Sequence, residues 1–476
     1  MEVSFLEVDM KDNKMRKKRI FNIKLKPTQI LVLGFLGILV IGTILLNLPI
    51  SSVGGKSIGI IDALFTATSS VCVTGLVVVN TMEHWTMFGK TVILILIQIG
   101  GLGFMSFTTA LFIIMGRKIT LKERLVIQEA FNQYTLAGMV KLTINILIGT
   151  FIVEGVGALL LSIRFIPKYG IGMGVFMSVF HSVSAFCNAG FDIIGHSSLT
   201  PYVSDVLFNF TIMMLIILGG LGFAVWLNIV NVSRDKIENQ YSMKRWFSKL
   251  TLHTKLVLVL SGFLIGVGFV FFFIVEYNNP DTFGNMTLSQ KILAALFQSV
   301  TPRTAGFNTI PLDKLKEASK FMTILYMFVG GSPGGTAGGV KTVTVGVILL
   351  TVKSVMEGKE RTEIFSRSIP TGVIRKATAV IAISLGVVVG VTMLLSLSEP
   401  DSIPFMDIFF EATSAFATVG LSVGITGSLS TFGKIIIAIT MFIGRLGPVT
   451  MVAAFTLKGK RRKGSIKKPE ERVMVG

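Results

Sequence analysis

The sequence predicts an all-α membrane protein of four tandem units, each an outer helix, a re-entrant loop carrying its own short helix, and an inner helix, set about a pseudo-fourfold axis. Three observations predict it. Hydrophobic residues make up 51% of the 476 and charged residues only 15%, with a mean hydropathy of +0.74, whereas soluble domains carry about 25% charged residues. The apolar residues fall in eight long blocks and four shorter ones. A glycine-bearing string recurs four times at near-constant spacing.

A membrane helix needs about 20 apolar residues to cross roughly 30 Å of hydrocarbon. Segments 28–49, 88–115, 142–166, 204–232, 252–277, 320–352 with a break, 372–397 and 432–457 meet that length. Segments 60–71, 174–187, 289–301 and 404–417 are too short to cross and read as re-entrant. A basic stretch through Lys26 precedes the first block, which reads as a retained span and not a cleaved signal. Lys and Arg number 8 in 1–26, 5 in 116–141, 6 in 233–255, 6 in 353–376 and 8 in 458–476. If the spans alternate, these lie on one side, which the positive-inside rule makes cytoplasmic together with both termini. The net charge of +19 is therefore a topology signal, and nucleic-acid binding is set aside. The same reading divides the chain into a basic cytoplasmic N-terminus (1–27), repeats at 28–115, 116–232, 233–352 and 353–457, and a basic cytoplasmic tail (458–476). That tail is suited to anionic membrane lipid or a cytosolic partner. Cys72 and Cys187 are too few for a disulfide framework.

The repeated strings are Val71-Cys72-Val73-Thr74-Gly75, Phe186-Cys187-Asn188-Ala189-Gly190, Pro302-Arg303-Thr304-Ala305-Gly306 and Phe416-Ala417-Thr418-Val419-Gly420. Their glycines are spaced by 115, 116 and 114 residues, and each is followed by Leu or Phe. A phenylalanine stands ten residues before three of them (Phe65, Phe180, Phe410) and nine before the other (Phe297). Irregular backbone at membrane depth is tolerated only when it is buried in protein or lines a water-filled path. Four such loops meeting on one axis can aim carbonyl oxygens inward and replace the hydration shell of a cation. Glycine suits the turn because positive φ carries no Cβ penalty, and the negative ends of the preceding short helices favour a cation. A helix C-cap would explain one such glycine; four at one period point to a shared centre.

These loops, the Gly330-to-Lys341 string and an arginine in the last span resemble the Trk/Ktr/HKT superfamily of cation transporters over about 28–457. The absence of an extra helix pair before the first repeat makes the Ktr membrane subunit (KtrB) the nearer likeness within it. The resemblance implies potassium uptake across a bacterial cell membrane, often sodium-dependent, by a homodimer on a cytosolic nucleotide-binding regulatory ring (KtrA-like), with nucleotide only on that partner. It also implies a selectivity filter in the four strings, with potassium at the backbone of Val73, Asn188, Thr304 and Thr418. Potassium channels offer a longer Thr-Val-Gly-Tyr-Gly string in each loop, so a single glycine per loop implies looser discrimination against neighbouring ions. Arg303 is expected to point behind its loop and pair with an acid, since a fixed cation facing the path would repel the ion.

The sixth span contains Gly330-Gly331-Ser332-Pro333-Gly334-Gly335-Thr336-Ala337-Gly338-Gly339. Glycine costs a helix about 1 kcal/mol and proline about 3, so this stretch cannot stay helical. Directly after the third loop, it would cross the path below the filter as a gate; a passive kink is the alternative. Arg445 lies inside the last apolar run, where a charge costs at least about 2.5–3.5 kcal/mol and faces either a pathway or an acid. It is read as an electrostatic barrier below the filter, with a salt bridge to Glu154 or Glu411 as the competing reading. Asp62 is expected as a helix cap; Glu154 and His181 carry no assigned role. Gly330-Gly331-Ser332-Pro333-Gly334 fits G-x-S-x-G, but no histidine follows it. No nucleophile, base or metal cluster supports an enzyme. A secondary transporter working by alternating access remains the second reading, although such proteins usually show two inverted repeats.

Overall fold

The structure is a computed structural model; it describes residues 26–455 apart from 104–105, 110–114, 116–118, 131–138 and 196. The basic termini read above as cytoplasmic lie outside the described residues, except for Lys26 and Pro27 at the start of the first helix. One element order recurs four times: long helix, short helix, loop, broken helix.

The long helices are Pro27–Asn47, Met139–Tyr169, Leu252–Glu276 and Thr371–Ser398. They expose large apolar side chains such as Ile44, Leu159, Phe263 and Leu397, a surface suited to lipid and not to water. The short helices are Ile60–Val71, Ile171–Phe186, Leu288–Val300 and Phe405–Ala417, where the too-short apolar segments predict them. Phe65, Phe180, Phe297 and Phe410, the phenylalanines at fixed distance from each glycine, are fully buried and anchor these helices in the interior.

The inner spans depart from expectation. The sequence marks only the sixth span for a break, yet all four inner spans break. Met87–Leu102 ends at Gly103 (φ 82°), and Thr431–Leu446 ends at Gly447 (φ 83°) before Pro448–Phe455. Val206–Leu221 ends at Gly222 (φ 90°) and resumes as Phe223–Asn239, bent by 97°. Glycine enters left-handed backbone without a Cβ clash, and Pro448 has no N–H to continue the fourth helix. By length and apolarity, four described helices can cross a membrane, or five if the bent pair is one span; eight continuous crossings are not present among the described residues. The third inner helix is interrupted as expected: Glu317–Phe328, an irregular stretch, then Thr342–Met356.

Packing runs in a cycle. The inner helix of each unit lies against the short helix of the next: Met87–Leu102 on Ile171–Phe186, Val206–Leu221 on Leu288–Val300, Glu317–Phe328 on Phe405–Ala417, and Thr431–Leu446 on Ile60–Val71. Two junctions carry ion pairs, Lys320 Nζ to Asp407 at 3.1 Å and Lys434 Nζ to Asp62 at 2.8 Å. Asp62 is thus not the cap that its place in the sequence suggests. Gly59 holds the cap position, and Asp62, in the first turn, takes Lys434 as its partner. Lys90, Asn209, Lys320 and Lys434 each occupy the fourth position of their inner helix. Of these four, the last two pair with an acid at the start of the next short helix.

Candidate functional site

The four strings come together. A methyl group on Gly190 would stand 2.8 Å from the Ala305 carbonyl oxygen and 2.8 Å from Gly306 Cα. One on Gly306 would meet the Val419 carbonyl and lie 3.4 Å from Gly420 Cα; one on Gly420 would meet the Thr74 carbonyl and lie 2.9 Å from Gly75 Cα. A methyl on Gly75 would meet the Ala189 carbonyl and lie 3.0 Å from Gly190 Cα. The glycines therefore form a closed ring, each against the next unit's backbone.

Backbone conformation repeats around the ring. Gly75, Gly190, Gly306 and Gly420 have φ of 92°, 69°, 81° and 88°. The residues two places earlier, Val73, Asn188, Thr304 and Thr418, have φ of 57°, 57°, 70° and 50°. Left-handed backbone is uncommon outside glycine and strained for β-branched residues, and Val73, Thr304 and Thr418 are β-branched. Such strain costs on the order of 1–3 kcal/mol and persists where the surroundings enforce it. The hydroxyls of Thr74, Thr304 and Thr418 are buried with no hydrogen-bond partner among the described residues.

What enforces the loops includes four hydroxyl residues not singled out from the sequence. Ser69 Oγ accepts from Gly75 N–H at 3.0 Å and Ser414 Oγ from Gly420 N–H at 3.1 Å. Ser184 and Thr301 act in the other sense, donating to the carbonyls of Phe191 (2.7 Å) and Phe307 (2.5 Å). The signal is present: a hydroxyl six residues before each glycine, or five in the shorter third loop.

Below the ring lies the glycine-rich stretch. Gly330 N–H donates to the Val340 carbonyl at 2.9 Å and Thr342 Oγ1 to the Gly330 carbonyl at 2.7 Å, closing its base. Ser332 N–H reaches the Gly220 carbonyl at 2.9 Å, and Phe223 N–H reaches the Gly334 carbonyl at 3.0 Å. The loop thus fills the break in the second inner helix, whose freed backbone groups it satisfies. Thr336 Oγ1 donates to the Phe186 carbonyl at 3.0 Å, and a methyl on Gly338 would lie 2.8 Å from the Ala417 carbonyl. Both carbonyls belong to the loop strings of other units. Lys341 Nζ donates back to the Ala337 carbonyl at 2.7 Å.

Neither Arg445, which is half-buried, nor the buried Arg303 has the acidic partner considered for it. Arg445 donates to the Thr336 and Gly100 carbonyls, and to the Gly101 carbonyl at 3.2 Å, tying the glycine-rich stretch to the first and last inner helices. Glu154 instead accepts from Gln98 Nε2 at 3.2 Å, and Glu411 from Ser422 Oγ at 2.8 Å and from Thr426. Arg303 does turn behind its loop, but its Nη2 donates to Ser261 Oγ at 3.1 Å and no acid pairs with it among the described residues. His181 is a buried structural group, with Nδ1 2.7 Å from the Met177 carbonyl and Nε2 accepting from Ile193 N–H at 3.3 Å.

Known proteins share this sequence and fold. The profile of the family described as TrkH, cation transport protein, matches residues 14–462. The Ktr system potassium uptake protein B of Bacillus subtilis (strain 168) is 43% identical over 454 residues, covering 95% of this chain and 98% of the relative. The potassium/sodium uptake protein NtpJ of Enterococcus hirae is 40% identical, covering 97% and 99%. The crystal structure of the potassium transporter TrkH from Vibrio parahaemolyticus superposes with a TM-score of 0.70 at 16% identity, covering 92% of this chain and 86% of that one, a likeness of fold. These relatives are ion transporters and not enzymes. With a family match across nearly its whole length, the chain belongs to the TrkH family of cation transport proteins.

Proposed function

We propose that the chain is a potassium uptake pore in which the four loops form the ion filter and the glycine-rich stretch with Arg445 forms the gate. The observation that carries this is the closed ring of four glycines, each two residues past a residue in left-handed backbone. A dehydrated cation requires oxygens from several sides at once, and Val73, Asn188, Thr304 and Thr418 are the main-chain ligands this reading assigns. The broken inner helices complete four outer–inner pairs across the bilayer, their breaks lining the inner half of the path, where irregular backbone is tolerated.

Potassium as the cargo is supported by the names of the Bacillus and Enterococcus relatives, and sodium as activator or coupled ion by the latter's. The Ktr relatives are named as part of a system, which supports a partner; we assign it as a cytosolic nucleotide-binding ring under a homodimer, with nucleotide on that ring alone. The basic loops support a cytoplasmic position for both termini. The gate acts by withdrawal of residues 330–339 from beneath the filter, released when Arg445 loses its carbonyl partners.

The test is uptake by potassium-transport-deficient cells expressing the chain, with and without sodium and a cytosolic subunit. Growth and Rb+ uptake at low external potassium are expected. Correctly inserted protein with no saturable uptake in any combination refutes the reading.

A further inference from the structure

The ring is not electrostatically fourfold. Three residues before each glycine stand Cys72, Cys187, Arg303 and Ala417, so one unit in four has a cation where the others are uncharged. In the first two units this residue directly follows the last residue of the short helix, and in the fourth it is that last residue; unpaired carbonyls there leave a partial negative charge. In the third unit Arg303 sits three residues beyond Val300, the last residue of that helix, and its N–H donates to the Val300 carbonyl at 3.2 Å.

Arg303 is 8% exposed; Ser261, its partner on the long helix Leu252–Glu276, is 4% exposed. Among the described residues, the Arg303 Nε has no hydrogen-bond partner. A buried charge is ordinarily neutralised by a counter-ion; here the guanidinium donates to a neutral hydroxyl, and no acid pairs with it among the described residues.

We propose that Arg303 sets the strength of ion binding: it offsets, in one quadrant, the negative helix end that the other three aim at the permeating cation. This rests on the pore reading and goes beyond it. Conduction requires a site attractive enough to be entered and weak enough to be left. Four uncompensated helix ends would hold the ion too long, and Arg303 lowers occupancy to permit release. A lone charge in one quadrant achieves this without altering the ligand geometry of the other three.

The test compares Rb+ uptake kinetics of the full chain with R303Q, R303K and S261D in proteoliposomes of equal protein content. R303Q removes the charge while keeping a hydrogen-bond donor for Ser261. S261D keeps the arginine and supplies a carboxylate beside it. Both should lower KM about tenfold, the order expected for a unit charge acting at roughly 10 Å through an effective dielectric constant of about 20, and both should lower the maximal rate. R303K should stay within twofold of the unaltered chain. A merely structural arginine would give lower rates at unchanged KM, and that result in R303Q, or R303K behaving like R303Q, overturns the proposal. If R303Q does not fold, S261D against R303K decides alone: an unchanged KM in S261D overturns it. No saturable uptake by the unaltered chain would overturn the pore reading and this inference together, whereas normal uptake with equal KM in all variants overturns this inference only.

Discussion

Replacing Gly190 by alanine separates a ring of ion-binding backbone from four coincidental turns. Gly190 has φ of 69°, so an added Cβ imposes about 1–2 kcal/mol of left-handed strain. Its methyl would also stand 2.8 Å from both the Ala305 carbonyl oxygen and Gly306 Cα, and 3.2 Å from Gly306 C. All three are backbone atoms of the neighbouring loop, which cannot rotate away as a flexible side chain would. The relief available is to turn the 189–190 peptide, displacing the Ala189 carbonyl from its place against Gly75 and disturbing the neighbouring Asn188. With 1.4 kcal/mol equal to tenfold in an equilibrium, strain of this size predicts a fall in K+-over-Na+ preference of roughly five- to thirtyfold. Gly54 is the control: its φ is 91°, with nothing within 4 Å of the added Cβ, so Gly54→Ala carries the torsional cost without the intrusion. The assay is Rb+ uptake against competing Na+ in vesicles, with thermal unfolding in detergent to match stabilities. An unchanged preference in Gly190→Ala, or an equal fall in Gly54→Ala, refutes the reasoning.

Other outcomes follow from the same geometry. Arg445→Gln gives up charge-assisted bonds to the Thr336, Gly100 and Gly101 carbonyls, each worth about 1.5–3 kcal/mol; maximal flux should rise, and slower or equal flux in an equally expressed variant would contradict this. Asp62→Asn unpairs Lys434 at a site where the two side chains are 27% and 15% exposed; the midpoint of thermal unfolding should fall, the swap D62K with K434D should recover part of it, and no loss in D62N would show the pair to be idle. Ser414→Ala removes the acceptor of Gly420 N–H, a loss of about 1 kcal/mol; ion preference should weaken, less than in Gly190→Ala, and an equal or larger effect would speak against the glycine ring as the determining element.

Much of this is legible in the sequence because the governing signals are long or periodic. The short helices are marked by apolar runs below spanning length, and the ring by glycines 114–116 residues apart. The irregular 330–339 stretch is marked by glycines and a proline that no helix accommodates. The breaks at Gly103, Gly222 and Gly447 escape a reading of the sequence, since one glycine costs a helix only about 1 kcal/mol and the apolar run continues through it. What makes each glycine a break is its left-handed backbone, and at Gly222 the loop that fills the gap from another part of the chain. The arginine partners escape for a related reason. Arg445 is held by carbonyl oxygens of Thr336, Gly100 and Gly101, and a backbone acceptor leaves no mark on residue identity, so the acids Glu154 and Glu411 stand out in their place. The Asp62–Lys434 and Asp407–Lys320 pairs span 372 and 87 residues, separations that reveal nothing until the cyclic packing is known.

The central claim is that main-chain oxygens of four loops replace the water of one cation. Crystals of the protein grown in Rb+ test it most directly, because the ion's anomalous scattering marks its position. The account predicts a peak enclosed by the carbonyls of Val73, Asn188, Thr304 and Thr418, lost in Gly190→Ala but kept in Gly54→Ala. Rb+ bound elsewhere in the bundle, with the ring empty at saturating concentration, would contradict it.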